Sequence, residues 1–274
     1  MPYADAAKAP MLLISTPLFA DPDNLFYKFF INADNLTSFS YDWSDPKYDT
    51  SAYLTPEKME FYKKNLTEFK YKTEILGEFI TGGGWVFKNI LPCIGTPDNK
   101  IPVAAGIDFG TGSNGDWTVI VLFNELKQMV DIQMVNDMDP MSQVSWLANI
   151  INKYPSLKHI YAEKNSIGEV YISALKKKLN KKSILHEFDT TNKSKKEVVE
   201  ELVKAFANET ITILDNAELI KQLQHFIVKK LSNNNYTYEN DSPTIHDDAV
   251  IALCLAWKAL NGKVGNYSIT FTNK

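Results

Sequence analysis

Between residues 103 and 135 the chain runs three β-rich segments in succession, VAAGIDFG, WTVIVLF and MVDIQMV, and then changes to alternating helical and extended segments. That order constrains the fold more than any other feature. A Gly/Ser/Asn loop joins the first two runs, and the polar break NELKQ sets the second and third up as a hairpin. Helical spacing in DPMSQVSWLANIINKY precedes the strand HIYAE. The helix SIGEVYISALKKKL precedes the strand SILHEF, and KKEVVEELVKAFAN reads as a further helix. TITIL is short and extended, AELIKQLQHFIVKKL is predicted to be helical, NNNYTYEN reads as a turn or small hairpin, and HDDAV to KAL is a final, nearly all-apolar helix. Three β runs followed by alternation predict an α/β fold, a mixed sheet covered by helices.

Residues 1–95 have a different texture. A short apolar strand, MLLISTP, is followed by a helix, LFYKFFINA, and an extended FSYDW. The amphipathic stretch TPEKMEFYKKNLTEFKYKTEIL offers Thr55 as N-cap and Pro56 at the first helical position. The glycines of GEFITGGGWVF break regular structure, and PCIGTPDNKIP, with its three prolines, reads as a linker. The chain is thus expected to divide into residues 1–95 and 96–274.

A hydrophobic content of 45% in 274 residues is ample for a buried core. The net charge of −4 exerts no global pull toward nucleic acid, so local charge must decide. All 29 basic residues are Lys, so the chain cannot itself supply an arginine finger to a nucleotidase site. Cys93 and Cys254 form no disulfide framework, and His159, His186, His225 and His246 have no ligand spacing. No signal peptide or apolar run of transmembrane length is seen, which predicts a soluble protein in a reducing compartment, with no membrane partner.

Acidic residues stand at the ends of three of the core segments. Asp108 lies in the first β run, Glu163 ends HIYAE, and Asp247 and Asp248 open the last helix. Carboxylates gathered on one sheet edge repel one another unless a cation lies between them. Oxygen ligands of this kind suit Mg²⁺ or Mn²⁺, as in a two-metal site that cleaves phosphodiesters. Each acid also has a plainer reading. Asp108 and Asp116 can bond the amides of the intervening turn. Glu163 stands beside Asn165 and Ser166, which suit a helix cap. Asp247 and Asp248 suit an N-cap and its dipole. By helical spacing Asp248 shares a face with Ile251, Ala252 and Leu255, so it points where the core points.

GIDFGTGSNGDWTVIVLF, then IYAEKNSIG, then HDDAVIALCLAW, resembles the nuclease domain of the large subunit of tailed-phage DNA-packaging terminases, over roughly residues 100–262. The resemblance implies an RNase H-like fold and an endonuclease that cuts concatemeric viral DNA. It implies Asp108, Glu163 and Asp248 as catalytic residues holding two Mg²⁺ or Mn²⁺ ions, with Asp247 and Asp116 as further metal positions. LLISTP resembles the coupling motif that follows the Walker B strand of terminase ATPase domains, and EILGEFITGGGWVF the exit from that domain. Residues 1–95 are therefore expected to be the remnant of an α/β ATPase domain. No GxxxxGK[ST] loop or Walker B strand is present, so no ATPase activity is expected of this chain alone. The missing half lies either upstream in a longer protein or in a separate chain. The implied partners are double-stranded DNA, the portal and the terminase small subunit, at the viral procapsid in the host cytoplasm.

The lysines fall in runs. Lys176, Lys177, Lys178, Lys181 and Lys182 end a helix, where the dipole favours them, and Lys229 and Lys230 form a third group. Lys193, Lys195 and Lys196 in TTNKSKKE are predicted to precede a helix, where Lys gains nothing from the dipole. They are the better candidates for DNA-backbone contacts. Trp85, Trp117, Trp146 and Trp257 are expected to pack rather than stack on bases, and His246 to cap or pack. Two other readings share these motifs: an actin-like or sugar-kinase-type ATP-binding protein, through GIDFGTGS, and a resolvase- or transposase-type nuclease, through the acids.

Overall fold

The structure, a computed structural model, describes residues 14–17, 20, 25–31, 55–66, 68–80, 86–87, 89–111, 116–164, 168–231, 235–241 and 245–262. Its centre is a five-stranded sheet. β1 (Ala104–Asp108), β2 (Thr118–Phe123) and β3 (Met129–Val135) form an antiparallel meander. β4 (His159–Glu163) and β5 (Leu185–Phe188) run parallel to β1, giving the order β3-β2-β1-β4-β5. This is the predicted mixed sheet. β1 and β2 are buried along their whole length, which is why they read as continuous apolar runs.

Seven α-helices longer than one turn are described: α1 (Leu25–Ile31), α2 (Pro56–Asn65), α3 (Pro140–Lys153), α4 (Gly168–Lys178), α5 (Asn192–Ala207), α6 (Ala217–Gln224) and α7 (Asp248–Asn261). α3 starts where Asp139 Oδ1 accepts from the amides of Met141 and Ser142, with Pro140 at the first position. Strand alternation sends Ala105, Ile107, Ile120 and Leu122 to the face covered by α3 and α4. Val119, Val121 and Phe123 go to the opposite face, covered by α5, α6 and α7. α7 is buried on every side. It lies so close to β1 that a Cβ on Gly106 would stand 2.2 Å from the Ala252 carbonyl oxygen and the Ala256 nitrogen. Only glycine permits that approach.

Several segments depart from the sequence expectation. AELIKQLQHFIVKKL is not one helix: α6 stops at Gln224, and Phe226–Lys230 is strand β6, antiparallel to β7 (Tyr236–Asn240). Phe226 and Val228 face the core with Tyr238, and that cross-strand packing outweighs the helical spacing. TTNKSKKE does not precede its helix. Thr191 and Ser194 close a capping box, so α5 begins at Asn192 and takes in Lys193, Lys195 and Lys196. The stretch after Thr55, whose side chain does cap α2, breaks at Leu66. It resumes as one turn at Glu68–Lys70 and a π turn at Tyr71–Ile75, where buried Phe69 meets the Tyr236 ring at 4.7 Å. In SILHEF the first residues form a 3₁₀ turn before β5.

PCIGTPDNKIP is fastened to the sheet domain. Ile94 pairs with Ile213, and the Asp98 amide donates to Gln128 Oε1. Val86, Phe87, Ile90 and Cys93 join the same core as α7. Ile14–Pro17 is not strand. The rest of MLLISTP before Ile14, FSYDW, GGGW with its Trp85, and Asn165 and Ser166 lie outside the described residues.

Candidate functional site

Strand alternation and register decide where the first two acids go. On β4, Ile160 and Ala162 face α3 and α4, so Tyr161 and Glu163 face α7. On β1 the α7 face carries Ala104, Gly106 and Asp108. Ile107 pairs with Ala162, which brings Asp108 and Glu163 side by side at the carboxyl ends of two parallel strands. Asp108 is only 6% exposed. Its pKa is raised well above the ordinary carboxylate range, first by burial, then by the charge of Glu163 and a hydrogen bond shared with it, then by Asp248 and Asp247. The turn amides that Asp108 was expected to bond go elsewhere: Gly110 donates to Thr118 Oγ1, and Thr111 to Asp116 Oδ2 at 2.6 Å.

α7 brings its first turn to the same edge. Asp248 is buried, and its Oδ2 accepts from the Trp117 amide at 2.8 Å, which ties the helix to the start of β2. Burial pushes its carboxyl up to about 7. The Trp117 amide opposes the shift, Asp116 and Asp247 add to it, and His246 opposes it. Asp247 occupies the N-cap position, yet its side chain makes no capping bond. Its Oδ2 meets the Lys195 ammonium at 2.7 Å. Both aspartates are thus engaged across the fold rather than with their own helix, contrary to the capping reading.

Lys195 is the structural surprise among the site residues. Its side chain is 19% exposed and reaches from α5 into the acidic cluster. Burial works to lower its pKa, but Asp247, then Glu163 and Asp108, outweigh burial and hold it above the ordinary lysine value. It is a counter-ion of the carboxylates, where the sequence had suggested a DNA-backbone contact. Its partner lies 52 residues away in the chain, and nothing local announces it. Lys196 bonds Asn235 Oδ1, with its ammonium 3.5 Å from the centre of the Tyr236 ring, and Lys193 is exposed. Both line a groove of about 380 Å³ with Asn192, Glu197 and Tyr236.

Among the described residues, one group of three ligands lies close enough to hold a single ion, and it includes neither Asp108 nor Glu163. Ligand atoms of Asp116, His246 and Asp248 all lie within 4.8 Å of one another. Asp116 therefore combines the turn role with a place in the cluster. Sequence reasoning set His246 aside for lack of a partner at ligand spacing, and the fold supplies the partners from the start of β2 and from α7. Trp117 and Trp146 pack against the two cores, and Trp257 is buried in one of them.

The family model of the terminase RNaseH-like domain matches residues 105–260. Among solved structures, the chain is similar to the large terminase nuclease of the thermophilic phage G20c with bound magnesium. Identity is 18%, the TM-score is 0.51, and the match covers 59% of this chain and 82% of that one. It is also similar to the large terminase of a second thermophilic bacteriophage, at 13% identity and a TM-score of 0.63. That match covers 94% of this chain and spans 66% of the longer protein. These likenesses show the fold: the five-stranded mixed sheet with its flanking helices is RNase H-like. No curated protein sequence matches the chain.

Proposed function

We propose, for a chain that belongs to the terminase RNaseH-like domain family, that it is a divalent-metal-dependent endonuclease cutting concatemeric viral DNA during phage genome packaging. One observation carries the reading. Asp108, Glu163 and Asp248, from three elements distant in sequence, lie toward one side of one sheet edge, where burial first and then the charges of Glu163 and Asp248 raise the Asp108 carboxyl. Such crowding of buried acids is relieved by a cation, so the residues fit a hard divalent ion such as Mg²⁺ or Mn²⁺. Asp108, Glu163 and Asp248 would hold one ion, and Asp248 with Asp116 and His246 a second. Asp247, engaged by Lys195, stands at the margin. When bound, ions of this class activate a water and stabilise the leaving 3′ oxygen.

The chain's own residues do the positioning. The shared hydrogen bond of Asp108 and Glu163 keeps the two side chains together, and the Trp117 amide fixes Asp248. Lys195 offsets part of the negative charge. Lys193 and Lys196 are the phosphate-backbone contacts, both lining the groove at the start of α5, and they read charge rather than sequence. In this reading double-stranded DNA is the substrate. The ATPase half, the portal and the small subunit are partners at the procapsid in the host cytoplasm, and residues 1–95 are the edge of the ATPase. The test is plasmid nicking in Mn²⁺, Mg²⁺ or EDTA. Cleavage only with a divalent ion is expected, and equal cleavage in EDTA would end the proposal.

A further inference from the structure

A helix that opens with two aspartates ordinarily spends one of them on its own free amides. α7 does not. Asp247 is drawn to Lys195 and Asp248 to the Trp117 amide. The amide of Ala249, in the first turn, instead donates to Gln222 Oε1 at 2.9 Å. Gln222 lies on α6, is fully buried, and is oriented through its own amide nitrogen by Glu218 Oε1 at 3.2 Å. A fully buried glutamine whose oxygen meets the first turn of a neighbouring helix is an N-cap supplied from outside. A polar side chain at this depth is tolerated only when bonded.

We propose that Gln222 is a positioning residue of the acidic site. By capping α7 it leaves Asp247 and Asp248 turned toward Asp108, and so it sets the affinity of the site for divalent cations. The proposal rests on the nuclease reading above. Without Gln222 the Ala249 amide is a buried donor in need of another acceptor, and the usual acceptor for such an amide is the side chain at the helix's own N-cap, here Asp247. An aspartate recruited as cap is lost to the site.

The test is calorimetric titration of Mn²⁺ into the full chain, alongside thermal melts with and without Mn²⁺. Gln222→Leu should weaken Mn²⁺ binding tenfold or more and remove most of the Mn²⁺-induced rise in Tm. Gln222→Met serves the same purpose if the leucine variant does not fold. Gln222→Glu keeps an acceptor oxygen at the same reach and should retain most of the affinity. Leu255→Ala, in the same helix, should lower Tm while leaving the affinity of the folded protein unchanged, which separates positioning from general loosening. Wild-type affinity in Gln222→Leu, or a loss in Gln222→Glu or in Leu255→Ala as large as that in Gln222→Leu, would overturn the proposal. Absence of Mn²⁺ binding by the wild type would overturn the nuclease reading instead.

Discussion

Asp248 and Asp247 are neighbours in sequence with different work. Asp248 Oδ2 accepts a backbone bond that an Asn oxygen can also accept, so Asp248→Asn keeps the tie to Trp117 and loses only the charge. We expect that variant to lose cleavage and most of the Mn²⁺-induced stabilisation. Its metal-free melt should be unchanged or higher, because a buried charge among acids has been removed. Asp247→Asn should be milder in cleavage. Nicking rates and paired melts distinguish the two, and a dead Asp247→Asn beside an active Asp248→Asn would reverse the roles. Lys195→Met leaves the acids without their internal counter-ion. The metal-free chain should be destabilised by about 1–3 kcal/mol, discounted for the partial exposure of the pair, as measured by urea denaturation. The salt dependence of DNA binding should stay the same in Lys195→Met and flatten in Lys193→Ala. A flattened slope in Lys195→Met would put that ammonium on DNA after all.

At the scale of elements, the sheet and α7 were legible because their periods are strong: continuous apolar runs for the two inner strands, and an all-apolar helix for the centre of the fold. Asp108, Asp116, Glu163 and Asp248 could be singled out as candidates because each borders such an element. β6 was missed because Leu219, Leu223 and Phe226 continue a helical spacing, and the alternation of Phe226 and Val228 has meaning only once Tyr238 lies opposite. The start of α5 was missed because lysines in a first turn oppose the dipole, and the Thr191–Ser194 capping box overrides that cost. The roles of Lys195 and Gln222 were illegible locally, since their partners lie on α7, far along the chain. At Gly106 α7 lies directly on β1, where backbone meets backbone and no side chain can yield. Gly106→Ala should therefore destabilise by about 1–3 kcal/mol or more through overpacking, and weaken Mn²⁺ binding as α7 is pushed off the strand. Denaturant melts and Mn²⁺ titration check both. A variant with normal stability would mean that the two elements separate easily.

For the molecule as a whole, one core joins Phe69, Val86, Phe87 and Cys93 of the N-terminal part to α5, α6, α7 and the β6–β7 hairpin, so the site rests on more than the segment that matches the family. The acids tie whole-molecule stability to pH. Asp248, at about 7, and Asp108 both have folded pKa values raised above the unfolded range of about 4. The stability that Asp248 contributes is fully present below that range and is lost as pH rises through about 7, and the Asp108 contribution is lost in the same direction. The metal-free Tm should fall between pH 5 and 8 on this account, while the Mn²⁺-induced rise in Tm should grow across the same interval, since only ionised carboxylates bind. A metal-induced shift that is flat with pH would disconnect these acids from the ion. The most direct measurement is an anomalous-scattering map from crystals grown with Mn²⁺. The account predicts a peak coordinated by the carboxylates of Asp108 and Asp248. A peak bound only elsewhere, with the Asp108–Glu163–Asp248 edge empty at saturating Mn²⁺, would contradict it.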